Sequence, residues 1–221
     1  MLHFMRKHAK FFYVFFFLII ISFIFFYVGP IDKNQNPVVI EIGKEKVYLD
    51  EYWRAYDNLR NIYRDIYKDK FTPEMEEKLA LKEKTLEKLI EDRLLLRKAA
   101  EMGIYVSDEE LQEAIMNEPA FQRDGVFNRN IYLRTLQLNR LTPSYYEAAK
   151  RSELVLKKIR LLIEDSVDLT PLDTSLFQGN QDFLKAIKAS LLTDKQSKVL
   201  RSFVETLKKE YNVKVHSEFI S

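Results

Sequence analysis

The sequence predicts a mainly α protein: a single N-terminal transmembrane helix, then a helical domain with a small β-sheet. Three observations predict it. Residues 11–28 run for eighteen positions without a charge, Gly or Pro. Beyond them, apolar residues recur at helical spacing in segments opened by cap signals. Strand-like alternation is confined to two short stretches, residues 38–49 and 211–216.

The apolar run FFYVFFFLIIISFIFFYV would reach ~27 Å as a helix against a hydrocarbon core of ~30 Å, a gap that slight bilayer thinning closes. Phe11, Phe17, Ile20 and Phe25 would face lipid, with Tyr13 and Tyr27 at the two interfaces where aromatic belts form. Arg6, Lys7 and Lys10 precede the span and a mixed Asp32–Lys33 follows it, so residues 1–10 form a cytoplasmic tail and the rest is exported. A cleavable signal peptide is the rival reading. It requires small residues at its exit, whereas this segment leaves through Phe25, Phe26, Tyr27 and Val28, which favours an uncleaved anchor.

Formal charge is +2, and the three basic residues of the tail leave the exported part near neutral. Its charges are interleaved, without the one-signed basic face that nucleic acid requires, so no nucleic-acid partner is expected. Cysteine is absent, which excludes disulfides, thiolate catalysis and zinc–thiolate sites.

Residues 29–37 read as a tether. Val38–Ile42 and Val47–Leu49 read as two strands around a tight turn. From Asp50, the spacing of Tyr52, Tyr56, Leu59, Tyr63 and Ile66 predicts one helical face ending near Lys70. Thr72-Pro73-Glu74 opens the next helix with a cap, a Pro in the first turn and an acid at the positive end of the dipole. That helix is expected to run unbroken to Gly103, with Leu86, Leu89, Ile90, Leu94 and Leu95 as the spine of the core. Ser107 and Glu110 form a capping box for a helix through Met116. Residues 119–130 are too broken for a long helix, and a short one is expected from Ile131 to Leu138. Thr142-Pro143 starts another helix to about Ile163. Residues 166–193 read as a looser crossing segment with one short helix near Phe183–Leu191. A final amphipathic helix from Asp194, carrying Val199, Leu200, Phe203, Val204 and Leu207, precedes a closing strand in residues 211–216 that adds to the first hairpin.

The run from Leu86 to Ile163 resembles the SurA N-terminal domain of periplasmic, parvulin-containing chaperones. The likeness rests on the leucine helix ending in MGIYVSDEE, on Phe121, Gln122, Asp124, Gly125, Phe127 and Tyr132, and on the helix start Leu141-Thr142-Pro143. It covers about residues 38–165, and Lys198 to Val215, within the C-terminal segment 194–221, is similar to the family's returning helix and strand that completes the domain. The resemblance implies a chaperone-like module in the periplasm, tethered to the bacterial inner membrane. Its partners would be unfolded or nascent exported polypeptides, or alternatively one specific subunit of the export machinery or another foldase. Tyr48 departs from the family's Ser or Thr cap, leaving Asp50 to cap the first helix.

The family's prolyl isomerase uses paired histidines in a separate parvulin domain. Here only 27 residues separate Ser166 from Asp194, and the histidines are His3, His8 and His216. No catalytic residues, metal or cofactor are therefore expected. Two aromatic groups are candidates for a client surface: Tyr52, Trp53, Tyr56 and Tyr63 on the first helix, and Phe121 with Phe127. Each has an alternative reading, core packing for the stripe and an inward fold about a Gly125 turn for the two phenylalanines, and the packing readings are favoured.

Overall fold

In the computed structural model, residues 36–169 and 181–220 are described. Strands β1 (Val38–Ile42) and β2 (Glu45–Tyr48) pair antiparallel across a two-residue turn at Gly43-Lys44. Gly43 sits at φ +61°, and a Cβ there would stand 3.1 Å from the Arg97 guanidinium, which donates to the Ile42 carbonyl. The register shifts between Val38 and Ile40, so Val39 is an extra residue in β1. That irregularity lets two consecutive side chains, Val39 and Ile40, both turn inward. Strand β5 (Val213–Val215) takes the other edge of β1, with Ile40 opposite Val215 and Ile42 opposite Val213. The sheet order is β2-β1-β5, so the strand nearest the start of the domain is the central one.

Helix α1 (Leu49–Tyr67) follows β2 directly and passes into a 3-10 turn at Lys68–Lys70. Neither Tyr48 nor Asp50 caps it. The Asn36 side chain does so, its Oδ1 accepting from the Asp50 N–H at 3.0 Å while its amide donates to the Asp50 carboxylate. Leu49 N–H donates to the Pro37 carbonyl at 2.9 Å, so the last two residues of the expected tether are tied into the fold.

The helix expected from Thr72 to Gly103 is in fact two. Helix α2 (Pro73–Lys78) starts on the Thr72 hydroxyl as its sequence requires, but the chain breaks at Leu79-Ala80, where Ala80 adopts φ +50°, ψ +50°. Helix α3 (Leu81–Glu101) then begins in a new direction. The break turns Leu81 and Thr85 into the interior, at the cost of a left-handed alanine, roughly 1–2 kcal/mol.

Helix α4 (Asp108–Met116) carries the capping box between Ser107 and Glu110. A 3-10 turn (Pro119–Phe121) and the two-residue strands β3 (Gln122–Arg123) and β4 (Val126–Phe127) make a small hairpin, with Asp124 and Gly125 both at positive φ. Two left-handed central residues are what the tightest hairpin turn demands. Helices α5 (Arg129–Leu138) and α6 (Pro143–Asp165) follow.

The C-terminal helix α7 runs unbroken from Gln181 to Glu210, which replaces the expected short helix, gap and restart at Asp194. The stretch contains neither Pro nor Gly. The Thr193 hydroxyl bonds back to the Ala189 carbonyl instead of capping, and Asp194 pairs with Lys198 one turn on. Its Val204 and Leu207 join Val39, Ile40, Ile42 and Val47 of the sheet, Tyr52 of α1, Leu94 and Leu95 of α3 and Ile159 of α6 in the main core. Tyr211 closes it, its ring 4.4 Å from the Arg97 guanidinium and its hydroxyl 2.6 Å from the Glu101 carboxylate. A second core gathers Val106, Leu111, Ile115, Phe121, Tyr132 and Leu136 between α4, the small hairpin, α5 and the start of α6.

The apolar run at residues 11–28, with Phe11, Tyr13, Phe17, Ile20, Phe25 and Tyr27, lies outside the described residues. Among the described residues no helix is long and apolar enough to cross a membrane.

Candidate functional site

The aromatic stripe of α1 divides into parts with different surroundings. Tyr52 is fully buried, and its hydroxyl donates to the Lys82 carbonyl at 3.2 Å. Burial, with the Glu83 carboxylate, pushes its phenol up to about 12. Trp53 packs edge-on against Tyr52 with ring centroids 5.1 Å apart and lies half-buried against the core. Tyr56 is half-buried and donates to Glu76, which also takes the Arg60 Nε–H at 2.9 Å, so the two residues clamp α2 to α1. Tyr63 stacks on Tyr67 at 6.1 Å. Beyond Leu59 the face no longer meets the core, and Ile62 and Ile66 are 55% and 66% exposed. Phe121 is 3% exposed, set edge-on to Tyr132 and Tyr146 at 5.0 and 5.4 Å, and Phe127 is half-buried beside Tyr132. The turn at Asp124-Gly125 folds both rings inward, so Tyr52 and Phe121 belong to the interior and the six residues form no common surface.

A surface concavity does occur where the predicted helix breaks. A cleft of about 910 Å3 opens between α2, the Ala80 corner, the first turns of α3 and the C-terminal 3-10 turn (Ser217–Phe219). Its volume is at the upper end of ligand pockets, ~300–1,000 Å3. The floor is apolar: Leu81 at 1% exposure, Ile220, Leu86 and the Tyr56 ring. The rim carries Glu76, Glu77, Glu83, Glu218 and Lys82. Against the burial that would raise it, the Tyr56 and Arg60 hydrogen bonds hold the Glu76 carboxyl below its ordinary value. The far wall is held by the backbone: His216 N–H donates to the Val39 carbonyl at 2.8 Å, and Ile220 drops into the core. His216 Nδ1 lies 3.3 Å from Glu218 and its Nε2 3.8 Å from Glu41.

A smaller cleft of about 400 Å3 lies between α3 and α6, over Leu89, Leu96 and Leu156. Its charges are already matched, Arg160 to Glu91 and Asp92 at 2.8 and 2.6 Å and Arg93 to Glu45 and Glu51. Among the described residues no group of three or more His, Cys, Asp or Glu side chains is gathered to hold a metal ion.

Of the candidate aromatics only Tyr56 lines the larger cleft. Sequence reasoning missed Leu81, Lys82 and Glu83 because it continued one helix through Ala80, and Ile220 because it lies beyond the closing strand. The available signal was the pair Leu79 and Leu81: residues two apart on a helix do not share a face.

Helices packed on a three-stranded sheet that strand β5 joins, with an open apolar-floored cleft beside α2 and α3, define a small, mainly helical module. The profile of the SurA-like N-terminal domain family matches residues 1–160, most of the sequence, and the chain belongs to that family. It is similar to the periplasmic chaperone PpiD of Escherichia coli (strain K12), 27% identical over 146 residues that make up 64% of this chain and 23% of that protein. The PpiD of Haemophilus influenzae is 34% identical over 92 residues, 42% of this chain and 15% of the relative. That of Haemophilus ducreyi is 24% identical over 176 residues, 77% and 28%. The chain thus spans under a third of the length of these curated relatives.

Proposed function

We propose that this protein is a chaperone-like module of the bacterial envelope that binds unfolded or newly exported polypeptides. The apolar run at residues 11–28 anchors it in the inner membrane, and the domain from residue 38 lies in the periplasm. The observation that carries the reading is the open cleft over Leu81, Leu86 and Ile220, an apolar floor with enough room for several side chains of an extended segment. Membership of the SurA-like N-terminal domain family and the likeness to periplasmic chaperones support it. Binding requires no nucleotide or metal. In this reading it proceeds without proline isomerisation, and His216, the one histidine among the described residues, is turned to Glu41 and Glu218.

The test is aggregation of several unrelated unfolded envelope proteins, followed by light scattering with and without the detergent-solubilised protein. Suppression across the set at near-stoichiometric ratios is expected. Protection of one client alone would replace this reading with that of a dedicated interaction subunit, and protection of none would remove it.

A further inference from the structure

We infer that the larger cleft selects apolar polypeptide segments flanked by lysine or arginine over the same segments flanked by acids. The inference rests on the cleft being the client site and adds the chemical class of the client. Its support is the arrangement of charge around the floor. Glu77 comes from α2, Glu83 from the first turn of α3 and Glu218 from the C-terminal turn, so three separate elements place carboxylates around Leu81 and Ile220. Glu76 is already engaged by Arg60 and Tyr56. Glu77 and Glu83, both exposed, form no ion pair among the described residues. Among the described residues that line the cleft, Lys82 is the only cation. The rim is therefore net negative, in contrast to the smaller cleft, where arginines match the acids.

An apolar side chain seated on Leu81 places its neighbours in the chain at the rim. A lysine or arginine there meets the carboxylates of Glu77 and Glu83, and an aspartate or glutamate meets like charge, which disfavours the wrong partner more than it rewards the right one. These are exposed charges, so the preference is modest and fades with salt, the screening length being about 10 Å at 0.1 M.

The experiment uses the full-length protein in detergent micelles and three fluorescent peptides that share one Leu/Phe/Tyr core and differ only in lysine, serine or glutamate flanks. Anisotropy titration should rank them lysine, serine, glutamate, each step about two- to fivefold in affinity, with the spread collapsing at 0.5 M salt. The double variant Glu77→Lys, Glu83→Lys should invert the order, and Glu77→Gln, Glu83→Gln, which adds no repulsion, should flatten it. Circular dichroism melting confirms that the variants fold. Equal, salt-insensitive affinity for all three peptides overturns the charge selection and leaves the chaperone reading standing. An order unchanged in both double variants assigns selection to another surface and overturns it equally. Failure of all three peptides to bind overturns this inference together with the proposed function.

Discussion

Ala80 holds φ +50° and ψ +50° between α2 and α3, and the cleft exists because the chain turns there. Replacing it with glycine has opposite consequences for a broken and a continuous helix. A non-glycine residue in the left-handed region costs ~1–2 kcal/mol, which glycine does not incur. Glycine loses more unfolded-state freedom on folding, roughly 0.5–1 kcal/mol. The difference leaves Ala80→Gly more stable by about 0.5–1 kcal/mol. In a domain of this size that raises the thermal midpoint by ~2–4 °C per kcal/mol. Within an uninterrupted helix the same substitution loses about 1 kcal/mol and lowers the midpoint by a similar amount. Thermal melting by circular dichroism, checked by urea denaturation for an unchanged slope, reads the sign. A fall in the midpoint would mean that Ala80 is helical and would remove the corner that opens the cleft.

Truncation after Thr193 should abolish the cooperative melt: it removes Val204, Leu207, Tyr211, Ile220 and strand β5. At ~1.5–3 kcal/mol for each buried side chain the loss is on the order of a domain's whole ~5–15 kcal/mol, and a midpoint equal to that of the intact protein would show the tail to be a separate arm. Glu76→Gln should lose stability at neutral pH but not in acid. The folded carboxyl lies below its ordinary 4.5, so its contribution is present above that value and disappears as pH falls through the folded one. A stability gap that stays constant from about pH 7 to about pH 3 would contradict the Tyr56–Glu76–Arg60 clamp. Tyr52→Phe should cost ~0.5–1.5 kcal/mol for the lost hydrogen bond to Lys82 with peptide affinity unaltered, and a loss of affinity at unchanged stability would return Tyr52 to the client surface.

Features set by a few neighbouring residues were legible in the sequence. Ser107 with Glu110, Thr72 with Pro73 and Thr142 with Pro143 each start a helix where expected, because a cap needs only a side-chain oxygen and the next turn's N–H. The strand pattern of residues 213–215 likewise pointed to its place beside β1. Two features depended on distant partners. The α1 cap comes from Asn36, fourteen residues before Asp50, where Tyr48 and Asp50 were the local candidates. The Ala80 corner has no Gly or Pro to announce it and is held by burial of Leu81 and by Tyr52 reaching the Lys82 carbonyl. Missing that corner meant missing the cleft; of the six candidate aromatics, Tyr52 and Phe121 are buried in the two cores and the other four are half-buried, since rings at helical spacing serve a core as readily as a surface. Asp194 looked like a helix start, yet nothing in residues 181–210 breaks the helix through it.

The account rests on client segments lying in the cleft beside α2 and α3. A photo-cross-linking residue placed at Lys82, on the rim, and in a second protein at Lys157, an exposed position on α6 away from the cleft, tests this directly when each is mixed with an unfolded envelope protein. The account predicts an adduct from position 82 that an excess of a lysine-flanked apolar peptide competes away, and little from position 157. Equal adducts from both positions, or an adduct from 157 alone, would contradict it.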